Sequence, residues 1–278
     1  MDLAVFAAVL LSAFLHAVWN AWVKSRPDAG GAVAALVIGA GAPNLIVLLQ
    51  AGLPPAPAWS WIAMTVALSV TSLTLLGSAY REGDFAVAYP FTRGLIPVVL
   101  ALAAVPVFGE TPSVPNAVGV VCVSAGLITL GWEAARRSRT ITARGLAFAA
   151  LAAGLTAASV LTDAAGARIT ADPFSYGPTI AVLNAAVMAA VETRRRNVPR
   201  MLVRHWPITT FAALISMASY LLFIWGLMRA PVAMAVALRE TSMLFAIAIA
   251  ALVLRERVGP WRLAAVALMF AGAALIRL

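Results

Sequence analysis

Ten apolar runs of about twenty residues, separated by short charged or Gly/Pro-rich links, constrain this chain more than any other feature. A helix rises about 1.5 Å per residue, so 18 or more apolar residues cross roughly 30 Å of hydrocarbon. In lipid the backbone must satisfy its own hydrogen bonds, and continuous runs of this length do so as helices. Charge clusters and turn residues place the spans at about 2–23, 31–50, 58–80, 85–108, 114–132, 144–163, 174–191, 206–228, 231–253 and 259–276. Composition agrees. The chain is 63% hydrophobic and 11% charged, against about 25% charged in soluble domains, so it has too little polar surface to face water. The fold class is therefore an all-α polytopic membrane protein with ten transmembrane helices.

The net charge of +9 comes from basic residues grouped in short links without interleaved aromatics. That pattern suits anionic headgroups and argues against nucleic acid. The odd-numbered links hold 15 of the 20 lysines and arginines; the even links and termini hold only Arg168, Arg229 and Arg277. The positive-inside rule then places the odd links in the cytoplasm of a bacterial-type inner (plasma) membrane, with both termini outside. Asp2 stands where a cleaved leader would carry a basic residue, so the first run is read as a retained span. The single cysteine, Cys122, permits no intrachain disulfide and suggests no metal cluster.

The second half echoes the first at an offset of 146: Arg93 falls on Arg239, Glu110 on Glu256, Val120 on Val266, and Ala125-Gly126 on Ala271-Gly272. This predicts a first five-helix repeat over 1–132, a basic inter-repeat loop over 133–143 and a second repeat over 144–278. Five spans per half is odd, so the halves insert in opposite senses. Inverted repeats of this kind hold a central site in many secondary transporters.

Three stretches carry a family resemblance: LHAVWNAWVK (15–24), PFTRGLIPVVLALAAVPVFGETPS (90–113) and ALRETSMLFAIAIAALVLRERV (237–258). Their order and the ten-span frame resemble EamA-type members of the drug/metabolite transporter superfamily, across essentially the whole chain. The resemblance implies a two-repeat carrier with a cavity lined mainly by helices 1, 3, 4, 6, 8 and 9, and with helices 5 and 10 peripheral. It also implies export, since several such relatives export amino acids while others move nucleotide sugars or sugar phosphates. Characterised relatives generally keep both termini in the cytoplasm, the opposite of the orientation counted from the loops here.

Within the spans, Arg93 and Arg239 each lie about eight residues deep, too far to snorkel fully. A central arginine costs roughly 2.5–3.5 kcal/mol to insert and needs a partner. Span 9 offers one carboxylate, Glu240, followed by Thr241 and Ser242. It can pair with one arginine as a packing contact and leaves the other as surplus positive charge. A substrate carboxylate or phosphate would match that guanidinium. Arg93→Ala is accordingly expected to abolish transport in a folded protein. Tyr89, four residues before Arg93, shares its face. Ser12, His16 and Asn20 form one polar face of span 1 beside Trp19; His16 could relay protons or simply bond a neighbouring helix. Thr156, Ser159 and Asp163 repeat the pattern in span 6, where Asp163 reads as a solvated helix end.

The candidate substrate-binding set is His16, Trp19, Asn20, Tyr80, Tyr89, Arg93, Tyr220, Arg239, Glu240 and Ser242, with Pro90 and Pro97 as hinges. Pro90, Pro97 and Pro106 predict a kinked span 4; span 9 has no interior proline. Thr71, Thr74 and Ser78 in span 3 and Ser216 in span 8 read as interhelical glue, and Trp59, Trp61 and Trp225 as interfacial anchors. Glu110 and Glu256 are expected at helix N-termini. Gly119 and Gly126, with Ala265 and Gly272, suit close helix contact and a homodimer.

No GxSxG, HExxH, P-loop or dinucleotide fingerprint is present, nor a nucleotide-binding domain or arginine ladder. Catalysis, cofactors, metals, primary pumping and voltage sensing are not expected. The sequence points to a secondary transporter, an exporter of amino acids or similar small carboxylates. A sugar-phosphate or drug carrier of the same fold and a non-transporting scaffold or receptor are the alternatives. A membrane-embedded lipid enzyme would need clustered ionisable groups at one interface.

Overall fold

The computed structural model describes residues 1–24, 26, 29–82, 85–138, 142–192, 206–253 and 259–278. These residues form α1 (Leu3–Lys24), α2 (Ala29–Ala51), α3 (Trp59–Glu82, after a 3₁₀ turn at Ala56–Ala58), α4 (Phe85–Phe108), α5 (Val114–Ser138) and α6 (Ala143–Thr170). There follow α7 (Pro173–Glu192), α8 (Trp206–Leu227), α9 (Val232–Glu240), α10 (Ser242–Val253) and α11 (Pro260–Arg277). Ten segments are long and apolar enough to cross a membrane, α9 and α10 together making the ninth. Glu256 and Arg194–Arg196, with the rest of 193–205 and 254–258, lie outside the described residues, as do Arg139 and the side chain of Tyr80.

Three boundaries differ from the sequence reading. α5 continues through the basic residues to Ser138, so much of the expected inter-repeat loop is helix. α6 extends seven residues past its expected end at 163, to Thr170. The run after Asp163, Ala-Ala-Gly-Ala, is apolar enough to continue the span, so a span ended at the first charge stops too soon. The ninth span is broken at Thr241, although no proline sits there. Thr241 Oγ1 donates to the Leu238 carbonyl at 2.6 Å, and its own N–H donates to the Leu238 and Arg239 carbonyls rather than four residues back. A threonine bonding its own backbone tightens and bends a helix in this way. In contrast, α4 stays helical through Pro90, Pro97 and Pro106.

The halves pack by exchange. α1 lies along α8 as α6 lies along α3; α2 pairs with α7 and α5 with α11; α4 adds to α6 as α9 and α10 add to α1. Small hydroxyls line the first two seams. Ser12 and Ser219 trade side-chain-to-carbonyl bonds at 2.7 and 2.8 Å, and Thr65 donates to Thr162 at 2.7 Å. Ser72 meets Thr156 at 2.6 Å and the Ala152 carbonyl at 2.9 Å. In lipid such contacts and close backbone approach, not hydrophobicity, hold helices together. Of the hydroxyls expected as glue in span 3, Thr71, Thr74 and Ser78 each bond a carbonyl of their own helix four residues back.

The small residues expected to serve a homodimer are consumed inside the chain. A Cβ on Gly119 would stand 2.8 Å from the Gly272 carbonyl oxygen, and one on Gly126 would stand 2.8 Å from that of Ala265. α5 and α11 therefore touch backbone to backbone. Large apolar side chains such as Leu49, Leu102 and Phe270 point outward into the lipid belt.

Candidate functional site

α4 and α9 bring their arginines to His16, in the second half of α1. Arg93 Nη1 donates to Glu240 Oε1 at 2.8 Å, an ion pair whose carboxylate side chain is 4% exposed. Arg93 Nη2 reaches the Tyr89 hydroxyl at 3.2 Å, and the guanidinium sits 5.2 Å over the Tyr89 ring. The same Nη2 meets His16 Nε2. On the other edge of that imidazole, Nδ1 faces Arg239 Nη2 at 3.4 Å. A neutral imidazole has one acceptor nitrogen, and the closer contact is with Arg93, so His16 cannot serve both guanidiniums. Arg239 keeps a stacking contact, its guanidinium 4.0 Å over the Phe223 ring. Its Nε has no hydrogen-bond partner, and no ion pair forms on it among the described residues. One arginine is paired and the other is not.

The break at Thr241 belongs to this arrangement. It follows directly on Arg239 and Glu240, so the end of α9 delivers both side chains toward α1 and α4 while α10 leaves at a new register. Trp19 packs its ring edge-on against His16 at 4.7 Å between centroids. Asn20 donates to the His16 carbonyl at 2.8 Å and so steadies that helix turn. Pro90 is buried one residue past Tyr89, Pro97 lies one turn beyond Arg93, and Ser242 is buried at the start of α10. Tyr80 belongs to the last turn of α3. Arg93, Arg239, Tyr89, Trp19 and Asn20 are all half-buried, whereas His16 and Glu240 are buried.

Tyr220 belongs to a second cluster that sequence reasoning missed. Its hydroxyl donates to Asp163 at 3.0 Å (Oδ1) and 2.9 Å (Oδ2), and Tyr176 donates to Asp163 Oδ1 at 3.1 Å. Asp163 is buried, not a solvated helix end. The local sequence explains the geometry. α6 ends at Ala171 with φ of 58°, and Asp172 caps α7 through the N–H groups of Phe174 and Ser175, both at 3.0 Å. Pro173 opens α7 at the position where its missing N–H costs nothing. This tight reversal lays Tyr176 against Gly166, where a Cβ would come within 2.7 Å of its ring. Only then can the phenol reach Asp163. A longer sixth span would have been the sequence signal.

A third charged group closes the end of the bundle where α6 finishes and α9 begins. Glu110 Oε1 accepts from Arg168 Nη2 at 2.6 Å, and Glu110 Oε2 accepts from the Val232 N–H, the first of α9, at 2.7 Å. Glu110 therefore serves the N-terminus of α9 across the repeat boundary, not that of the following helix α5 as expected. Arg168 also donates to the carbonyls of Leu227 and Ala230. A cavity of about 80 Å³ lies below the clasp, lined by Ala101, Ala104, Ala233 and Met234 among others. Arg168→Ala is expected to raise impermeant-maleimide labelling of a cysteine at Met234, in a Cys122→Ala background, by about tenfold, the shift that ~1.4 kcal/mol of lost clasp allows. Unchanged labelling would mean that the clasp holds nothing shut.

A solved structure described as a crystal structure of a protein shares this fold, with a TM-score of 0.73 and 19% identity over 99% of this chain and 96% of that one. No curated protein matches the sequence significantly. Residues 143–278 match the EamA-like transporter family. With its ten membrane-crossing segments, the chain is a multi-pass membrane protein whose second half is similar to that transporter family.

Proposed function

We propose that this protein is a secondary transporter that exports amino acids or similar small carboxylate-bearing metabolites. The observation that carries the reading is Arg239: a guanidinium at membrane depth, beside the completed Arg93–Glu240 pair, with no carboxylate of its own among the described residues. A cation left so is costly in lipid and suits a ligand carboxylate, which a guanidinium grips with two parallel hydrogen bonds. Arg93, Glu240, His16 and Ser242 hold the floor of the site; Trp19, Asn20, Tyr89 and Tyr220 contact the rest of the ligand. Pro90 and Pro97 act as hinges in α4.

Repeats 1–132 and 144–278 are inverted, and the exchange of helix partners between halves supports this. Rocking of the α3–α4–α6 group against the α1–α8–α9 group alternates access, with the Glu110–Arg168 clasp as the contact broken on one side. The loop charges support a plasma-membrane location with both termini extracytoplasmic. A homodimer would need a surface other than the α5–α11 seam.

A sugar phosphate would also satisfy Arg239, and a scaffold would use it only for packing. The deciding experiment is counterflow with purified protein in liposomes preloaded with unlabelled amino acids, offered labelled amino acids, a sugar phosphate or a quaternary amine. Uptake of amino acids alone supports the proposal. Uptake of sugar phosphate changes the substrate class, and no exchange of any of them by folded protein overturns the carrier reading.

A further inference from the structure

Asp163 and Arg239 stand as two opposite poles of one wall. Each lies seven residues from the same end of its span, Asp163 before Thr170 at the end of α6 and Arg239 after Val232 at the start of α9. At 1.5 Å per residue both are roughly 10 Å inside that end. The wall between them is α8. Tyr220 donates to Asp163, and Phe223, three residues on and on the same face, lies under the Arg239 guanidinium. Asp163 and Arg239 form no ion pair with each other.

The charges on this wall are incompletely met. An ionised carboxylate offers about four acceptor positions, and among the described residues Asp163 receives two phenol donors and no cation in contact. Arg239 has an imidazole edge and an aromatic face but no anion among the described residues. Buried charges of this kind call for partners. A plain anion on Arg239 would satisfy one pole and set a like charge facing Asp163. A zwitterion would satisfy both, its carboxylate on Arg239 and its ammonium on Asp163 and the Tyr220 oxygen.

We infer that Asp163 is the acceptor for a substrate ammonium, so that the site selects zwitterions over simple carboxylates and phosphates. This rests on the carrier reading above and narrows its substrate class. Tyr220, half-buried where Asp163 is buried, is the group through which the ammonium reaches the carboxylate. Tyr176, buried behind, positions Asp163 and does not touch the ligand.

The test is equilibrium binding of a labelled amino-acid mixture to the purified full-length protein. It is competed by alanine, leucine and phenylalanine and by their deamino forms propanoate, 4-methylpentanoate and 3-phenylpropanoate. In the wild type the deamino acids should compete on the order of 30-fold more weakly than their parents, as loss of a hydrogen-bonded charge implies. Asp163→Asn, which keeps the shape and both phenol contacts, should narrow that gap to within about threefold. Tyr220→Phe should narrow it partway and covers the case in which Asp163→Asn fails to fold. Deamino acids that compete equally in the wild type, or a gap unchanged in both variants, would overturn the assignment while leaving the carrier reading intact. No binding of the labelled mixture to folded wild type would remove the amino-acid reading and this inference with it.

Discussion

Arg239→Gln is expected to lower carrier-mediated amino-acid uptake by at least about a hundredfold in a protein that still folds, since two charge-assisted hydrogen bonds of 1.5–3 kcal/mol each are lost from the bound ligand. The expected fold retention follows from what Arg239 contacts in the protein itself. It stacks on Phe223 and skirts His16, but completes no ion pair among the described residues. Losing the stacking costs roughly 0.5–2 kcal/mol, and losing an unpaired charge from the membrane interior offsets part of that. Arg239→Lys should fall between, because an ammonium keeps the charge but not the planar fork. Initial rates of counterflow, with detergent-solubilised thermal unfolding as the fold control, separate these outcomes. Wild-type rates from folded Arg239→Gln would end the role of this residue as anion anchor.

Arg93→Ala should behave differently, and here the structure changes the expectation from sequence. Arg93 holds Glu240 in a pair whose carboxylate is 4% exposed. Truncating it leaves that charge buried without compensation, a loss of about 3–5 kcal/mol. The variant is therefore expected to unfold at markedly lower temperature, and its lost transport would say little about ligand binding. Adding Glu240→Gln removes the stranded charge and should restore most of the stability, so the double variant will be more stable than Arg93→Ala alone. A double-mutant cycle isolates the coupling. If Glu240→Gln does not rescue Arg93→Ala, the pair is not what holds these helices in register.

Why the two arginines diverge is a matter of non-local geometry. The offset of 146 makes Arg93 and Arg239 look equivalent, and nothing local distinguishes them. Glu240 is the immediate neighbour of Arg239, yet consecutive residues on a helix point about 100° apart. The carboxylate thus turns toward α4 and meets the arginine 147 positions away. Asp163 was similarly hidden. Its role depends on how far α6 runs and on a reversal at Ala171–Asp172 that carries Tyr176 back beside it. Glu110 looked like a helix-terminus residue, which it is, but for a helix 122 residues on.

The sequence by itself determined what depends on length, composition and short-range order: ten spans, all-helical class, the rarity and depth of the intramembrane charges, and the likeness of its second half to a transporter family. Those properties are legible because the cost of leaving a backbone or a charge in hydrocarbon is felt residue by residue, before any packing. Tertiary structure alone decided which arginine is paired, where the ninth span breaks, and that a carboxylate from α6 and a guanidinium from α9 share the wall of α8. Each of these depends on helix rotation and on contacts between distant segments. Small differences in helix length and turn geometry set such contacts, and a local reading of the chain does not record them.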